Sequence, residues 1–256
     1  MSKIIAIVNQ KGGVGKTTTA VNLSAYLASV GKFVLLIDMD PQGNATSGFG
    51  INHRQLDRGI YESLIGTENL NDIILPTSIE GHKLAPATPD LAGANIELVN
   101  IDGREYKLRE VLAEVRHSYD YIIIDCPPSL GLITINALAA AEDILIPVQT
   151  EYYALEGLSQ LLNTISLVKT HLQPNINILG AVMTMYDDRY KLSQEVFHEL
   201  YRYFPNKIMR TVIPRNIELA EAPSHGQTIM EYSPRSKGAR AYKRLAREIL
   251  SFTNYE

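Results

Sequence analysis

Asn9-Gln10-Lys11-Gly12-Gly13-Val14-Gly15-Lys16-Thr17-Thr18 follows the apolar run 4–8 and opens a helical pattern over 16–30. Glycines in such a loop let backbone N–H groups turn inward around phosphate oxygens, and the start of the helix adds the positive end of its dipole. The lysine of this pattern reaches the β and γ phosphates, and the hydroxyl after it ligates Mg²⁺. Strand, loop and helix therefore predict a nucleotide-phosphate site centred on Lys16 and Thr17.

The rest of the chain repeats this alternation of short apolar runs and longer helical patterns. We predict strands at 4–8, 33–37, 121–124, 144–148, 176–179 and 207–213, and helices at 16–30, 104–117, 130–141, 154–172, 189–203 and 235–252. Most of the strand runs are apolar throughout, which is typical of parallel strands buried on both faces. The sequence thus predicts an α/β fold, a single doubly wound and mostly parallel sheet flanked by helices.

Domain organisation follows from the absence of any repeat or Ser/Gly linker. We expect one domain over 1–256, with loops in the Gly-, Asn- and Pro-rich stretch 44–103. The single cysteine, Cys126, excludes an internal disulfide framework, and no run of 18 apolar residues or secretory segment is found. These features predict a cytoplasmic protein, with Cys126 packed as a small apolar residue.

The net charge of −4 argues against a uniformly basic surface, but it is a sum over two unlike regions. Residues 1–186 hold 12 Lys/Arg and 19 Asp/Glu, a balance of −7, whereas residues 187–256 hold 12 and 9, a balance of +3. A charge run is more often a solvated helix face than a binding surface. The C-terminal region therefore needs further evidence before its charge is assigned a function.

Three carboxylates follow predicted strands. Asp125 ends the run 121–124, while Asp38 and Asp40 follow the run 33–37. Ligands bind at the carboxyl ends of strands in sheets of this kind. We expect Asp125 to meet the Mg²⁺ shell and one or both of the other two to serve the phosphate chemistry, a loop cap being the alternative for one of them.

The loop departs from the common G-x-x-x-x-G-K-[ST] pattern, since Gln10 replaces the first glycine and Lys11 is a second lysine. In this it resembles the deviant Walker-A P-loop of the ParA/MinD class of ATPases. Further blocks resemble the ParA/Soj partition proteins in order along nearly the whole chain, namely 36–46, 125–129, 151–155, 212–216 and 221–226.

The resemblance implies an ATPase that uses ATP and Mg²⁺, is weak alone and forms an ATP-bound homodimer that sandwiches two nucleotides. It gives catalytic roles to Lys11, acting across the dimer, to Lys16, and to Asp40, which orients the attacking water. Thr17, Asp38 and Asp125 are the implied metal residues, and Gly12 lies where the subunits approach. The implied ATP contacts are Lys11, Gly12, Gly13, Val14, Gly15, Lys16, Thr17, Thr18, Pro214 and Asn216, with Glu151 a candidate cross-dimer contact.

The family also binds double-stranded DNA without sequence preference and is released by ParB-stimulated hydrolysis, which would make this chain nucleoid-associated. Arg189 matches one position of the family's basic patch, but Glu218 stands at another. The candidate DNA-binding residues are Arg189, Lys207, Arg210, Arg215, Arg235, Lys237, Arg240 and Lys243. Arg240, Lys243, Arg244 and Arg247 share one predicted helix face, with Tyr242, Leu245, Ile249 and Phe252 directed to the core.

Three other functions are compatible with the same loop. A MinD-like ATPase that positions division machinery at the membrane would need an amphipathic anchor, and the last residues, 251–256, are polar, so we expect no membrane anchor. A reductase of the nitrogenase iron-protein type needs two cysteines per chain. A metabolic ligase of this fold would need a carboxylate pocket, which the sequence neither identifies nor excludes.

Overall fold

The computed structural model describes residues 2–150, 156–187, 189 and 191–253. Within them the strands form one sheet in the order β3-β4-β2-β5-β1-β6-β7. All neighbouring strands are parallel except the edge pair β3–β4, which is antiparallel. The strands are β1 Lys3–Ile7, β2 Val34–Asp38, β3 Leu75–Pro76, β4 His82–Ala85, β5 Tyr121–Asp125, β6 Asp143–Gln149 and β7 Asn177–Thr184.

Helices cover both faces of the sheet, which confirms the doubly wound architecture. They are α1 Lys16–Ala28, α2 Asn44–Gly48, α3 Ile60–Ile65, α4 Leu70–Ile73, α5 Ala94–Glu97, α6 Lys107–Val115, α7 Leu132–Ala140, α8 Glu156–His171, α9 Lys191–Tyr203, α10 Glu218–Glu221, α11 Ile229–Tyr232 and α12 Lys237–Thr253. One core lies under α6 to α9, and the other packs α1, α11 and α12 against the opposite face. Because β1, β2 and β5 are buried on both sides, their apolar runs show no alternation.

The stretch 44–103 carries the expected loops, which connect the short helices α2 to α5 and the strands β3 and β4. One other expectation about a segment is wrong. Segment 207–213 is not a strand: it runs beside β7 but is bridged to it only at isolated positions. The N–H groups of Arg210 and Thr211 donate instead to the Glu248 carboxylate of α12, at 2.7 and 2.9 Å. That side-chain acceptor replaces the strand partner and interrupts the ladder.

Candidate active site

The phosphate loop connects β1 to α1 and is held by contacts from the neighbouring strands. Asn9 donates through Nδ2 to the carbonyl of Pro147 at 2.8 Å, and its Oδ1 accepts from the N–H of Lys11 at 3.0 Å. Thr184, at the end of β7, donates to the carbonyl of Val14 at 2.8 Å. Gly13 and Gly15 have φ of +74° and +86°, a conformation that L side chains rarely adopt. The loop is therefore shaped by contacts of the protein itself.

Lys16 is buried at the start of α1, with 5% of its surface exposed. Its Nζ donates to the carbonyl of Lys11 at 3.0 Å, so the ammonium lies inside the loop. Burial lowers the pKa of Lys16, whereas the charges of Asp125 and Asp40 act to raise it. The acidic groups around it thus offset part of the desolvation of this cation.

Asp125 ends β5 and is fully buried. Among the described residues, neither of its carboxylate oxygens has a hydrogen-bond partner, although buried polar groups are nearly always paired. Burial, followed by the nearby charge of Asp38, raises the pKa of Asp125 well above its usual range, and the Thr17 hydroxyl and the Lys16 ammonium act in the opposite direction. Two buried oxygens without a protein donor, beside a hydroxyl, are an arrangement that suits a bound Mg²⁺ and its water shell.

Asp38 and Asp40 differ in their surroundings, although both follow β2. Asp38 is fully buried and accepts hydrogen bonds from Thr46 and from the N–H of Asp40. Burial raises the pKa of Asp38 to about 6, while the Thr46 hydrogen bonds act to lower it. Asp40 is 7% exposed, accepts from the N–H of Gln42 at 3.0 Å, and borders the cavity described next. These contacts favour a loop-holding role for Asp38, and its place in the Mg²⁺ shell stays a prediction.

A cavity of about 590 Å³ opens above the loop. It brings together Gly12, Gly13, Gly15, Lys16, Thr17, Thr18 and Asp40 from the predicted set. The sequence did not indicate several other residues of its wall, which come from α1, from α2 with the turn before it, and from 222–227. They include Asn22, Gln42, Asn44, Ser47, Pro223, Ser224 and Gln227. Four of these residues lie in segments 36–46 and 221–226, which resemble the ParA/Soj proteins, so the resemblance was the signal that could have indicated them.

A second cavity, of about 340 Å³, adjoins the loop at Gly15 and Thr18. Pro214 and Asn216 both line it, together with Tyr242 of α12. The Oδ1 atom of Asn216 is buried there without a hydrogen-bond partner. A mostly apolar cavity with an unpaired amide oxygen, next to a phosphate loop, suits an adenine ring and its amino group.

The residues predicted to act across a dimer lie at the outer side of the loop. Gly12 is exposed, and a Cβ at this position would meet no atom within 4 Å. Lys11 is partly exposed and is not one of the residues that line either cavity. Val14 is buried beneath the loop. Glu151 lies outside the described residues, as does the rest of block 151–155.

The predicted basic face of α12 is present. Lys237, Arg240, Lys243, Arg244 and Arg247 are exposed, whereas Tyr242, Leu245 and Ile249 are buried against the core that contains α1. Tyr242 contacts the Thr19 hydroxyl at 3.2 Å. The placement of Phe252 in the core is wrong, because its side chain is 48% exposed one turn beyond the last buried position of α12.

The other candidate DNA contacts lie outside α12, and one of them is next to it, because the N–H of Arg210 donates to Glu248 of α12. Lys207 donates to Asn177 at the start of β7, at 2.7 Å, whereas Arg189 follows the end of β7. Arg189 is bound by Asp187 at 2.9 and 2.6 Å, which neutralises part of its charge. Arg210, Arg215 and Arg235 are exposed, and Arg215 also lines the smaller cavity. Lys207 and Arg189 thus lie near opposite ends of β7.

Cys126 is 1% exposed and is packed in the core under α6 to α9. Its Sγ lies 4.0 Å from the carbonyl of Ile124. Burial, followed by the charge of Asp125, raises the pKa of this thiol well above its usual range, so it is held as the neutral form. A thiol in that state has the character of a packed apolar group, as predicted.

The fold and the site define a P-loop nucleotide-binding protein with the deviant Walker-A loop. A family model described as an AAA domain matches residues 2–178. Sporulation initiation inhibitor protein Soj from Bacillus subtilis is 57% identical over 249 residues, which cover 97% of this chain and 98% of that protein. Chromosome-partitioning ATPase Soj from Thermus thermophilus is 53% identical, with 96% and 95% covered. The chain belongs to the ParA/Soj family.

Solved structures show the same fold. Cobyrinic acid a,c-diamide synthase from Mycobacterium smegmatis, with bound ADP and magnesium, superimposes with a TM-score of 0.89 at 37% identity and covers 100% of this chain and 97% of its own. Septum site-determining protein MinD from Pyrococcus horikoshii, with Mg-ADP, gives a TM-score of 0.80 at 28% identity, covering 100% and 98%. Both comparison proteins hold a magnesium nucleotide.

Proposed function

We propose that this chain is a chromosome-partitioning ATPase, formed by a single P-loop domain over 1–256. It hydrolyses ATP to ADP and phosphate with Mg²⁺, and it is active in the cytoplasm on the nucleoid. The observation that carries the proposal is the buried Asp125, near Lys16 and Thr17 beneath the loop, whose two carboxylate oxygens have no hydrogen-bond partner in the described part of the chain. The family relationship supports partition over other uses of the loop, since both Soj relatives are more than 50% identical across nearly their whole length.

The chain's own residues divide the work on the phosphates. The loop amides bind phosphate oxygens, and Lys16 neutralises the charge that develops on the γ phosphate. Thr17 and Asp125, with Asp38 nearby, would hold Mg²⁺, which would supply Lewis-acid stabilisation of the charge on the phosphates. Asp40 faces the cavity and orients the attacking water by accepting its proton in a hydrogen bond.

The remainder of the proposal concerns the ATP-bound dimer. Lys11 of each subunit supplies positive charge to the nucleotide of the other, and the exposed Gly12 permits the close approach. Two copies of the basic face of α12 then bind phosphates of double-stranded DNA without sequence preference. A ParB-type centromere-binding partner stimulates hydrolysis, which returns the protein to a monomer that binds DNA weakly.

DNA binding as a function of salt tests this proposal. We expect binding with ATP that weakens steeply as salt rises, and much weaker binding with ADP or without nucleotide. The matched control is the Asp40→Ala variant, which should bind ATP and remain on DNA because hydrolysis is blocked. Equal binding with ADP and ATP, or binding that does not respond to salt, would contradict the proposal.

The MinD-like function is less well supported by the structure. Among the described residues, no helix is long and apolar enough to cross a membrane. The amphipathic helix α12 turns its apolar side, including Leu245 and Ile249, into the core, so that side is not available to a lipid surface. Sedimentation with anionic vesicles separates the two functions, since ATP-dependent pelleting with vesicles but not with DNA would favour the membrane.

A further inference from the structure

The buried carboxylate of Asp38 is fully engaged by its own loop. Oδ2 accepts from both the N–H and the hydroxyl of Thr46, at 2.8 and 2.7 Å, and Oδ1 accepts from the N–H of Asp40 at 3.1 Å. One carboxylate thus joins the residue that faces the cavity, Asp40, to the first turn of α2. Any shift of Asp38 moves the Asp40 backbone with it.

Thr46 completes this arrangement from the other side. It is fully buried in α2, and its hydroxyl, besides donating to Asp38, accepts from the N–H of Ala87 at 3.1 Å. Ala87 follows the carboxyl end of β4, a strand that the sequence did not indicate. The hydroxyl therefore connects the loop after β2 to the neighbouring part of the sheet, both as a donor and as an acceptor.

The same short helix borders the nucleotide cavity. Asn44, Ser47 and Gly48 of α2 line its wall, as does Asp40 in the loop before α2. Thr46 itself does not reach the cavity, because its side chain points to Asp38 and Ala87. Thr46 therefore holds the cavity wall and Asp40 in place through Asp38 and Ala87, without contacting a nucleotide itself.

We infer that Thr46 is a positioning residue for ATP hydrolysis, which holds the Asp38–Asp40 loop in the geometry that aligns the attacking water. This inference rests on the proposed ATPase function. A loss of alignment lowers the rate of the chemical step, while the phosphate loop and its affinity for nucleotide stay intact. Thr46 should therefore affect kcat far more than nucleotide affinity.

The test compares Thr46→Val with Thr46→Ser. Valine keeps the shape and removes the hydroxyl, whereas serine keeps the hydroxyl. We expect Thr46→Val to lower kcat by about tenfold, the equivalent of one hydrogen bond, with ATP affinity within about twofold of the wild type. Thr46→Ser should restore most of the rate.

Thr88→Val is the matched control. Thr88 is also buried, one residue from Ala87, but its hydroxyl has no hydrogen-bond partner among the residues that the structure describes. The same change of side chain should leave kcat unchanged. If Thr46→Val loses thermal stability but keeps the wild-type kcat, or if Thr46→Ser stays as slow as Thr46→Val, the inference is wrong.

Asp38→Asn provides an independent readout if Thr46→Val does not fold. The amide keeps the size of the carboxylate but loses an acceptor that Thr46 uses, so we expect a similar fall in kcat with an unchanged apparent affinity for Mg²⁺. A large loss of Mg²⁺ affinity would instead make Asp38 a metal ligand and overturn the positioning role. The wild type and Asp40→Ala are measured beside these variants, because an inactive wild type would contradict the ATPase function itself.

Discussion

At the scale of single residues, the site depends on placing charge where water is excluded. Lys16 and Asp125 are both buried, and each acts on the pKa of the other in the direction that favours its charged form. Their attraction offsets only part of the desolvation, so the pKa of Lys16 is lowered and that of Asp125 is raised. The protein thus keeps an incompletely compensated charge distribution that a magnesium nucleotide would complete.

Lys16→Ala tests the centre of this distribution. The variant loses the buried ammonium that would contact the phosphates, and we expect ATP binding to weaken by at least about 100-fold, as for the loss of a charged hydrogen bond. Lys83→Ala, on the exposed side of β4, removes the same charge elsewhere and should bind normally. Calorimetric titration with ATP measures both, and unchanged affinity in Lys16→Ala would remove the phosphate-site assignment.

His82 gives the fold its own pH dependence, away from the site. Its ring is buried, with Nε2 2.9 Å from the Ser24 hydroxyl and Nδ1 3.1 Å from the Thr77 hydroxyl. Burial lowers the pKa of His82 to about 3, whereas an unfolded histidine has a pKa near 6.5. Between these values only the unfolded state takes up the proton, so the free energy of unfolding falls by up to about 1.4 kcal/mol per pH unit as pH decreases.

Replacing this histidine should flatten that part of the pH profile. We expect His82→Gln to be less stable at pH 7, because the buried hydroxyl contacts change, and to lose less stability than the wild type between pH 6.5 and pH 4.5. His117→Gln, at an exposed position, should keep the wild-type slope. Urea unfolding at several pH values provides the comparison, and parallel profiles for His82→Gln and the wild type would show that another group carries the dependence.

At the scale of elements, helix α12 has one apolar side that is buried and one basic side that is exposed. Its buried side packs against the core that contains α1, and its exposed side carries cations from Lys237 to Arg247. The spacing of residues along the sequence predicts both the apolar and the basic side, because residues three and four apart lie on the same face of an α-helix. This helical period gives no information about Lys207 and Arg189, which lie near opposite ends of β7.

Charge reversal on α12 tests its role in DNA binding. In Arg240→Glu/Lys243→Glu two phosphate contacts are lost in each subunit, so both affinity and the slope of log K against log salt should fall, the slope by about 0.9 for each lost contact. Arg54→Glu/Lys83→Glu makes the same change of net charge at exposed positions elsewhere. If both pairs weaken DNA binding equally, the effect belongs to net charge and not to α12.

At the scale of the whole molecule, the exposed position of Gly12 in the phosphate loop leads to a prediction about dimer formation. Gly12 has open space around it, so a larger side chain fits the isolated chain. We expect Gly12→Val to bind ATP but to remain a monomer, because the β-branched side chain occupies the space where the second subunit approaches. Sedimentation velocity with ATP, beside DNA binding, measures this; a dimer of wild-type affinity in Gly12→Val would place the interface elsewhere.

The sequence by itself determined those parts of the protein whose structure depends on a few consecutive residues. The phosphate loop, β1, β2, β5 and the long helices could be predicted because their signals lie within a few consecutive residues, and the family blocks placed Asp38, Asp40 and Asp125 at the ends of strands. The short elements of 44–103 could not, because strands such as β4 are stabilised by a neighbour distant in sequence.

Only the tertiary structure decided how the site residues are used. It engaged the Asp38 carboxylate with Thr46 and left that of Asp125 without a donor, although both residues end apolar strands. In the predicted strand 207–213, the N–H groups of Arg210 and Thr211 donate to Glu248, which interrupts the pairing with β7. The physical reason is that a buried polar group forms hydrogen bonds with the polar atoms that the fold places within about 3 Å of it. Here those atoms belong to residues 8 to 38 positions away in the sequence, which local patterns do not reveal.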